Sequence, residues 1–351
     1  MATSTAESPT PLSIPSPSGP LPSYRVAAFY YPWYGTPAFD KSWLHWNQNS
    51  HAPPRDIASD YYPELGPYSS NDPAVVARHM AWLRQAGIGV IIVSWWGRGS
   101  DEERPIPLIM KTAAQYGIKV AFHIEPYSGR TADSLVQNIQ YIYAMYGNFP
   151  SFFRSDDTST YSPNNQPKGM FFVWCVESPD NCGNQKVNAT YWQTAVDRIH
   201  ALPQGALVIA NITDTSWIAA GHFDGLYNYS TLDLEKHGGF SWANALPPGS
   251  LYVPSVIPGF SAHRVGYPSD AFVPRDNGQT YNAQWAAALG TGVQPAMITI
   301  TSFNEWHEGT SIEPPATGKT NGHGYAYEDF GSLPPDGYLA ITRQWVSSLQ
   351  P

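Results

Sequence analysis

Two glutamates stand three residues apart, just past the end of an apolar segment. Glu305 and Glu308 follow residues 296–303, where β-branched and apolar side chains predict a buried strand. Carboxylates at the exit of a strand contribute little to folding, whereas α/β barrels and open α/β sheets place their chemistry there. Two carboxyl groups can cleave a glycosidic bond if one protonates the leaving oxygen and the other stabilises or traps the sugar cation. We therefore predict that Glu305 and Glu308 are the catalytic pair of a glycoside hydrolase.

A structural role remains the alternative for these acids. Glu305 and Glu308 could cap a loop or form an ion pair, and Glu125, which follows His123 on an apolar strand, could form an internal salt bridge. The histidines could suggest a metal, but no pair has the spacing of a ligand set. The sequence therefore predicts neither a metal nor a cofactor.

Eight apolar segments alternate with amphipathic ones along the chain. Strands are predicted at residues 26–31, 89–94, 118–124, 169–174, 206–210, 223–229, 251–256 and 296–303. Helices are predicted at residues 73–86, 105–116, 133–146, 189–201, 216–220, 281–289 and 338–349. This alternation predicts an α/β fold, a (β/α)8 TIM barrel formed as a single domain (residues 24–351) with long βα loops. A doubly wound open sheet is the alternative, but no glycine-rich phosphate-binding fingerprint follows the first strand.

In a barrel the carboxyl ends of all strands face one mouth, so the residues at those ends should converge. They are Tyr30, Tyr31, Trp33, Trp95, Trp96, His123, Glu125, Tyr127, Trp174, Asn211, Tyr227, Tyr229, Asn304 and His307, beside the two glutamates. Aromatic, amide and carboxylate groups without lysine fit a neutral polyhydroxylated ligand better than a phosphate, since rings stack on the apolar faces of sugars. All but Trp174 and Asn211 are predicted to bind substrate, together with His45 and the nearby Arg275. Core packing is the alternative for any single Tyr or Trp.

Composition limits the classes of partner. Of 351 residues, 13% are charged and the formal net charge is −9 without a basic cluster, which argues against nucleic acid or an anionic membrane as partner. No apolar run has membrane-spanning length and no signal peptide is evident, so the compartment is not determined. Residues 1–23, rich in Pro, Ser and Thr, are predicted to be disordered or a linker. Cys175 and Cys182 could form a small local disulfide or remain free thiols. We expect a monomer.

Eight segments in chain order resemble the endo-α-1,2-mannosidase family, glycoside hydrolase family 99. They are FYYPWYG (29–35), HWN (45–47), IASDYYPELGPYSS (57–70), VSWW (93–96), FHIEPY (122–127), FDGLYNY (223–229), PSVIPG (254–259) and SFNEWHEGT (302–310). They extend from about residue 24 to the C-terminus, and together they are highly specific. Residues 172–185, which hold both cysteines, depart from the family pattern, and no role is transferred to them.

The resemblance implies a metal-free barrel that cleaves an internal α-1,2-mannosidic bond with retention and releases a disaccharide. In the family, one glutamate deprotonates the 2-hydroxyl of the sugar, which attacks the anomeric carbon to give a 1,2-anhydro sugar. The other glutamate is the general acid and then the general base for water. Transferred to this chain, Glu305 is the base and Glu308 the acid/base, a division that lets both carboxyls share one loop. A secretory-pathway lumen or extracellular location is also implied.

The resemblance also suggests which sugars contact the aromatic residues. Tyr31, Glu125, Trp96 and either Tyr227 or Tyr229 would line the subsites. Trp96 occupies a position that borders the outer sugar, where animal Golgi members tend to carry Tyr and bacterial members Trp. Trp at this position is associated with mannose, so an α-1,3-mannosyl-α-1,2-mannose substrate, as in fungal mannan, is expected first and a glucosylated N-glycan second. The remaining alternatives are a barrel glycosidase that uses ordinary double displacement and a non-catalytic oligosaccharide-binding protein.

Overall fold

The structure is a computed structural model that describes residues 21–155, 167–183, 185–229 and 239–349. The segment predicted to be disordered or a linker, residues 1–23, lies outside these ranges except for its last three positions. Of these, Ser23 is already the first residue of a strand. The boundary predicted at residue 24 therefore falls one residue inside the barrel.

Nine of the described strands form one all-parallel sheet. The strands are β1 (Ser23–Tyr30), β2 (Ile88–Trp95), β3 (Lys119–Ile124), β4 (Gly169–Val173), β5 (Ala206–Asn211), β6 (Gly225–Tyr227), β7 (Leu251–Val253), β8 (Ser255–Val256), β9 (Phe260–Ser261), β10 (Phe272–Val273) and β11 (Ile298–Ile300). The order in the sheet is β7-β6-β5-β4-β3-β2-β1-β11-β8. Because the connections carry helices, the sheet is a (β/α)8 barrel, and the predicted fold class is confirmed.

Pro254 divides the strand that closes the barrel. On its N-terminal side, β7 pairs with β6 through Tyr227 and Val253. On its C-terminal side, β8 pairs with β11. Proline has no N–H to donate, but the carbonyl of Pro254 accepts a hydrogen bond from Thr299 N at 2.9 Å. The segment predicted as one strand, 251–256, is thus a strand interrupted once that joins both ends of the sheet.

The described helices are α1 (Pro37–Asp40), α2 (Pro73–Ala86), α3 (Ile106–Tyr116), α4 (Ala132–Tyr146), α5 (Thr190–His200), α6 (Ser216–Gly221), α7 (Gln279–Leu289) and α8 (Gly337–Ser348). Helices α2, α3 and α5 pack against β2, β3 and β5, the strands next to them in the chain. Helix α2 begins where the sequence predicts, because the Asp72 carboxylate accepts from Ala74 N at 2.8 Å and Pro73 occupies the first turn. It ends at Gly87, whose φ of +79° favours glycine. Within the described ranges, no helix has the length and apolarity to cross a bilayer.

Side chains on the strands alternate between the barrel interior and the surrounding helices. On β1, the ring of Phe29 points inward and lies 4.9 Å from that of His123 and 5.8 Å from that of Tyr227. The next residue, Tyr30, points outward, where its hydroxyl lies 2.9 Å from Nδ1 of His79 on α2. Strand β2 is buried along its whole length, as expected for a parallel strand covered on both faces.

Strand β11 is shorter than the predicted segment 296–303 because the chain turns back on itself after Ile300. Ser302 N donates to the carbonyl of Thr310 at 2.9 Å, and Ile312 N donates to that of Ser302 at 3.0 Å. These bonds close a compact loop of residues 302–312, which we call the carboxylate loop. Its tip carries Glu305 and Glu308.

Candidate active site

A cavity of about 360 Å³ opens at the mouth of the barrel, in the size range of ligand sites. Its wall is made of Tyr31, Trp33, Trp96, His123, Glu125, Pro126, Trp174, Asn181, Cys182, Tyr229, Glu305 and Glu308. Eight of the residues predicted for the site are therefore together in one wall, including both members of the predicted catalytic pair. The wall is aromatic with three carboxyl groups, as expected for a site that binds an uncharged, hydroxyl-rich molecule.

Glu305 is held inside the carboxylate loop by main-chain groups. Its Oε1 accepts from His307 N at 2.8 Å, and its own N–H donates to Ser302 Oγ at 2.8 Å. The side chain is almost fully buried. Burial, followed by the negative charge of Glu308, raises the pKa of Glu305 well above its usual range. An ionised Glu305 is therefore a stronger base than a solvated carboxylate.

Glu308 lies beside a pair of tyrosines. The hydroxyl of Tyr229 donates to Glu308 Oε2 at 3.4 Å and is also hydrogen-bonded to the hydroxyl of Tyr31. Burial raises the pKa of the Glu308 carboxyl to about 7; the Tyr229 bond opposes this shift and the charge of Glu125 adds to it. A carboxyl with this pKa is about half protonated at neutral pH, and a general acid needs such a protonated fraction.

His307 is neutral. Burial lowers the pKa of His307 to about 3, with the charge of His45 adding to the effect. Its Nε2 donates to the carbonyl of His45 at 3.0 Å, which leaves Nδ1 without a proton, 3.6 Å from Glu305 Oε1. This contact is therefore not an ion pair, although its partners are an acid and a histidine. His307 itself lies behind the cavity wall.

Glu125 combines the two roles that the sequence left open. Its Oε1 accepts from Ser94 Oγ at 2.7 Å and pairs with His123 Nδ1 at 2.8 Å. Nε2 of His123 lies 2.6 Å from the hydroxyl of Tyr227. The Ser94 hydroxyl also accepts from Trp96 Nε1 at 3.0 Å. Glu125 is thus paired with His123 and lines the cavity, and Ser94 fixes Trp96 relative to it.

Asn304 holds β1 and the carboxylate loop together. Its Oδ1 accepts from Tyr31 N at 2.8 Å, and its Nδ2 donates to the Tyr31 carbonyl at 3.0 Å. Both ends of the amide are therefore used by the backbone of a cavity residue. Asn304 is fully buried and lies outside the cavity wall, so it orients Tyr31 from behind.

Two aromatic residues predicted for the site, Tyr30 and Trp95, point away from the cavity. Neighbouring residues on a strand face opposite sides, so only one of each adjacent pair can point into it. Tyr30 contacts helix α2, as described above, whereas Tyr31 enters the cavity. Trp95 on β2 is directed outward, where its Nε1 donates to Glu103 Oε1 at 3.3 Å. Its neighbour Trp96 lies in the cavity wall.

The remaining predicted residues surround the wall without forming it. Tyr127 lies on the outer side of its loop, and its hydroxyl donates to Ser134 Oγ at 3.1 Å. Tyr227 is fully buried beneath His123. Arg275 donates to the carbonyls of Gly309 and Ser311, at 2.9 and 2.6 Å, and braces the carboxylate loop.

His45 supports the cavity wall by packing against the ring of Trp33. Its imidazole stacks on Trp33 with ring centroids 4.6 Å apart and an angle of 12° between the planes. Its Nε2 lies 3.8 Å from a Glu102 oxygen. His45 has a φ of +63°, an uncommon left-handed conformation for a residue other than glycine. The stacked ring fixes Trp33, which does line the cavity.

The segment that departs from the family pattern contributes part of the wall. Cys175 and Cys182 form a disulfide with their Cα atoms 5.7 Å apart, which settles the question that their spacing left open. The bridge brings Asn181 and Cys182 into the cavity. The sequence analysis did not assign these two residues, or Pro126, to the site. The Cys pair was the one sequence signal that this segment folds back on itself.

A possible metal-ligand set lies outside the cavity wall. Donor atoms of Asp60, His263 and Glu328 are within 4.8 Å of one another, a group that by residue type could hold a divalent cation. Both oxygens of Asp60 are already used as acceptors, however. Oδ2 accepts from Ser261 Oγ at 2.7 Å and from His263 N at 2.9 Å, and Oδ1 accepts from the Tyr325 hydroxyl at 3.2 Å. The contacts favour a hydrogen-bonded brace between loops.

Two buried carboxyls at a barrel mouth, both with raised pKa values, meet the requirements of glycosidic bond cleavage, and the protein is a glycoside hydrolase. Residues 20–351 match glycosyl hydrolase family 99. The chain belongs to that family.

Relatives of the chain agree with this assignment. The chain is 35% identical over 361 residues to the glycoprotein endo-alpha-1,2-mannosidase of Rattus norvegicus, a match that covers 92% of this chain and 74% of the relative. It is 36% identical over 367 residues to a glycoprotein endo-alpha-1,2-mannosidase-like protein of Danio rerio, with 94% and 80% covered. The structure resembles that of the GH99 endo-alpha-mannosidase from Bacteroides thetaiotaomicron, with a TM-score of 0.78, 32% identity, and 93% and 98% of the chains covered.

Proposed function

We propose that the protein is a retaining, endo-acting α-1,2-mannosidase that cleaves an internal α-1,2-mannosidic bond and releases an α-1,3-linked disaccharide. The observation that carries this proposal is the pair of buried carboxyls on one loop, with the pKa of Glu308 raised to about 7 and that of Glu305 raised as well. The names of the relatives in rat and zebrafish support the linkage. The substrate is a mannose-containing oligosaccharide, an N-glycan or a mannan.

In the proposed reaction neither glutamate forms a bond to carbon. Glu305, as the ionised base, takes the proton of the 2-hydroxyl of the sugar at the cleavage site. The freed oxygen attacks the anomeric carbon as the bond to the leaving oxygen breaks, and Glu308 donates its proton to that oxygen. The product of this step is a 1,2-anhydro sugar. Glu308, now ionised, removes a proton from water, which opens the ring at the anomeric carbon, while Glu305 returns the proton to the 2-oxygen.

This route explains a stereochemical preference. The 2-oxygen can displace the leaving group only from the opposite face of the ring, so the two substituents must be trans. In an α-mannoside the axial 2-hydroxyl meets this condition. The short loop supports the route, because Glu305 and Glu308 are only three residues apart and each has its own hydrogen-bond donor, His307 N and the Tyr229 hydroxyl.

Ordinary double displacement is the second candidate mechanism for the same site. It would require one glutamate to attack the anomeric carbon and form a glycosyl ester. Trapping with a slow substrate, followed by mass spectrometry of the intact protein, distinguishes the two. A covalent sugar adduct would favour double displacement, and a catalytically silent protein that binds oligosaccharide would indicate a binding module.

The outer sugar is proposed to be mannose, with glucose as the second choice. Trp96, fixed by its hydrogen bond to Ser94, lies in the cavity wall where a flat ring can stack on that sugar. Product analysis with mannosyl-capped and glucosyl-capped α-1,2-mannosides, assayed side by side, tests linkage and cap together. We expect a disaccharide from both and a higher kcat/KM for the mannosyl cap. Release of single monosaccharides only would contradict endo-cleavage.

A secretory-pathway or extracellular location is proposed together with this function, and so is a monomeric state. The disulfide between Cys175 and Cys182 supports such a location, because disulfides persist in oxidising compartments. Glycans of the kind named above are found in the same compartments.

A further inference from the structure

One loop beside the carboxylate loop contributes no described residue to the cavity wall. The wall residues come from strand β3, from the loops after β1, β2, β3, β4 and β6, and from the carboxylate loop itself. Strand β8 pairs directly with β11, yet the described part of the loop that follows β8 contributes nothing to this wall. An endo-acting enzyme must bind sugar on both sides of the cleaved bond. The loop after β8 is therefore the candidate for binding sugar on the other side of the cleaved bond.

The loop after β8 forms a hairpin that packs on the backbone of the candidate acid. Strands β9 and β10 pair antiparallel, with Phe260 opposite Val273, and we call residues 260–273 the β9–β10 hairpin. Ser261 N donates to the carbonyl of Glu308 at 2.9 Å. The approach is so close that a Cβ at position 309 would lie 2.5 Å from the Ser261 carbonyl oxygen, and Gly309 has a φ of +59°. The hairpin is thus directly attached to the carboxylate loop.

The base of the hairpin is firmly braced. Asp60 accepts hydrogen bonds from Ser261 Oγ and His263 N, as described above. The next residue, Arg264, donates through Nε to the carbonyl of Ile57 at 2.9 Å, and its guanidinium packs over the ring of Tyr325 at 4.2 Å. A side chain beyond this base is therefore presented from a preorganised support, which lowers the cost of ordering it on binding.

Tyr267 is the side chain that this support presents. It is 47% exposed, its N–H donates to the Ala262 carbonyl at 3.2 Å, and its ring packs edge-on against Phe260 at 5.6 Å. Partial burial, followed by the charges of Glu308 and Glu305, raises the pKa of Tyr267. The phenol therefore lies within electrostatic reach of both carboxyls, although Tyr267 is outside the cavity wall.

We propose that Tyr267 forms an aromatic platform on the leaving-group side of the site, on which a mannosyl residue stacks after the cleaved bond. The inference rests on the proposed function, since only an endo-acting enzyme needs this subsite. The cavity, with Trp96 and Trp174, then holds the sugars that leave as the disaccharide. Glu308 is connected to both surfaces, because its carbonyl accepts from Ser261 N of the hairpin and its side chain lines the cavity.

Phe272 provides a matched control on the same hairpin. It is 44% exposed, which is close to the exposure of Tyr267. In the β9–β10 pair it stands opposite Ser261, whereas Tyr267 packs on Phe260. Because Phe260 and Ser261 are neighbours on one strand, they face opposite sides. Phe272, which stacks on His263, is accordingly on the side of the hairpin away from Tyr267.

The test compares two substrates that share the capped mannoside and differ in the leaving group. One carries two or three further mannosyl residues, and the other carries a small fluoride leaving group. For each variant, the informative quantity is the ratio of kcat/KM for the long substrate to that for the short one. We expect Tyr267→Ala to lower this ratio about five- to tenfold relative to the wild type, a loss typical of one stacked ring. Tyr267→Phe should keep it, and Phe272→Ala should not change it.

Three results would overturn the proposal. They are an unchanged ratio in Tyr267→Ala, an equal drop in Phe272→Ala, and a drop in Tyr267→Phe as large as that in Tyr267→Ala. A wild-type protein that cleaves neither substrate would instead reject the proposed function, and the subsite with it. Thermal unfolding of each variant confirms that the comparison is made between folded proteins, as expected for substitutions of exposed residues.

Discussion

Nε1 of Trp306 donates a hydrogen bond to Oε2 of Glu313 at 3.0 Å, which ties the residue beside Glu305 to a fully buried acid behind the carboxylate loop. The same oxygen accepts from the Tyr68 hydroxyl at 2.7 Å, and Oε1 lies 3.2 Å from His79 Nε2. Glu313 therefore connects the loop to helix α2. The side-chain partners of Glu313 in the described ranges, Trp306, Tyr68 and His79, are outside the cavity wall, so its effect on catalysis must act through the position of the loop.

Glu313→Gln should weaken both stability and turnover. An amide in place of the carboxylate keeps one oxygen to accept from Trp306 and Tyr68, but it puts an N–H donor at the position of Oε1, where it opposes the proton on His79 Nε2. Breaking such a buried network costs roughly 1–3 kcal/mol of the free energy of unfolding. We expect kcat to fall more than KM rises, measured by steady-state kinetics beside denaturant unfolding. A Gln variant with wild-type stability and kcat would show that the network does not position the loop.

The two glutamates should respond differently to the leaving group. Glu305→Gln and Glu308→Gln should each lose about 10²–10⁴-fold in kcat on a natural oligosaccharide, since each removes a proton-transfer group. A fluoride leaving group needs no protonation, so it should restore the bond-breaking step of Glu308→Gln but not that of Glu305→Gln. Pre-steady-state release of fluoride measures this step. Restoration in both variants, or in neither, would contradict the assigned roles.

Activity should decline on the alkaline side near neutral pH. Burial raises the pKa of the Glu308 carboxyl to about 7, so the fraction that holds a proton falls as the pH rises through 7. The pH profile of kcat/KM reports this group in the free enzyme. Because the two carboxyls interact, the observed values belong to the pair. A profile that stays flat from pH 6 to 9 would exclude Glu308 as the acid.

Removing the charge of Glu308 should stabilise the fold at alkaline pH. A carboxyl whose pKa is raised on folding favours the folded state below its ordinary pKa, and this contribution is lost as the pH rises through the folded pKa of about 7. Glu308→Gln should therefore gain roughly 3 kcal/mol over the wild type at pH 8 and almost nothing at pH 4. Chemical unfolding at the two pH values measures the difference. An equal gain at both would indicate better packing instead of relief of a buried charge.

Much of the fold and the centre of the site could be predicted from the sequence because they depend on local patterns. Apolar β-branched runs separated by amphipathic segments define the barrel strands, and Glu305 and Glu308 follow the last of these. Arg275 was harder to place, since its carbonyl partners are contributed by a loop more than 30 residues away. The β9–β10 hairpin has two residues in each strand, too few for a period-two pattern to appear.

The side chains on each strand were predicted less well than the strands themselves. The sequence analysis assigned Tyr30 and Tyr31 to the site together, as it did Trp95 and Trp96. The alternation of strand side chains allows only one member of each pair to enter the cavity. This alternation was available from the sequence, but the pairs stand at strand ends, where the register relative to the barrel interior depends on neighbouring strands.

The alternation of side chains on strand β1 limits which sequence changes the site can tolerate. Phe29 and Tyr31 face the barrel interior, and Tyr30 faces helix α2. A single residue inserted or deleted within β1 would turn every following side chain to the other face. Tyr31 would then move into the helix layer, and Asn304 would lose its hydrogen bonds to the Tyr31 backbone. The strand can therefore diverge by substitution of its outward residues, whereas its length is fixed by the chemistry at its end.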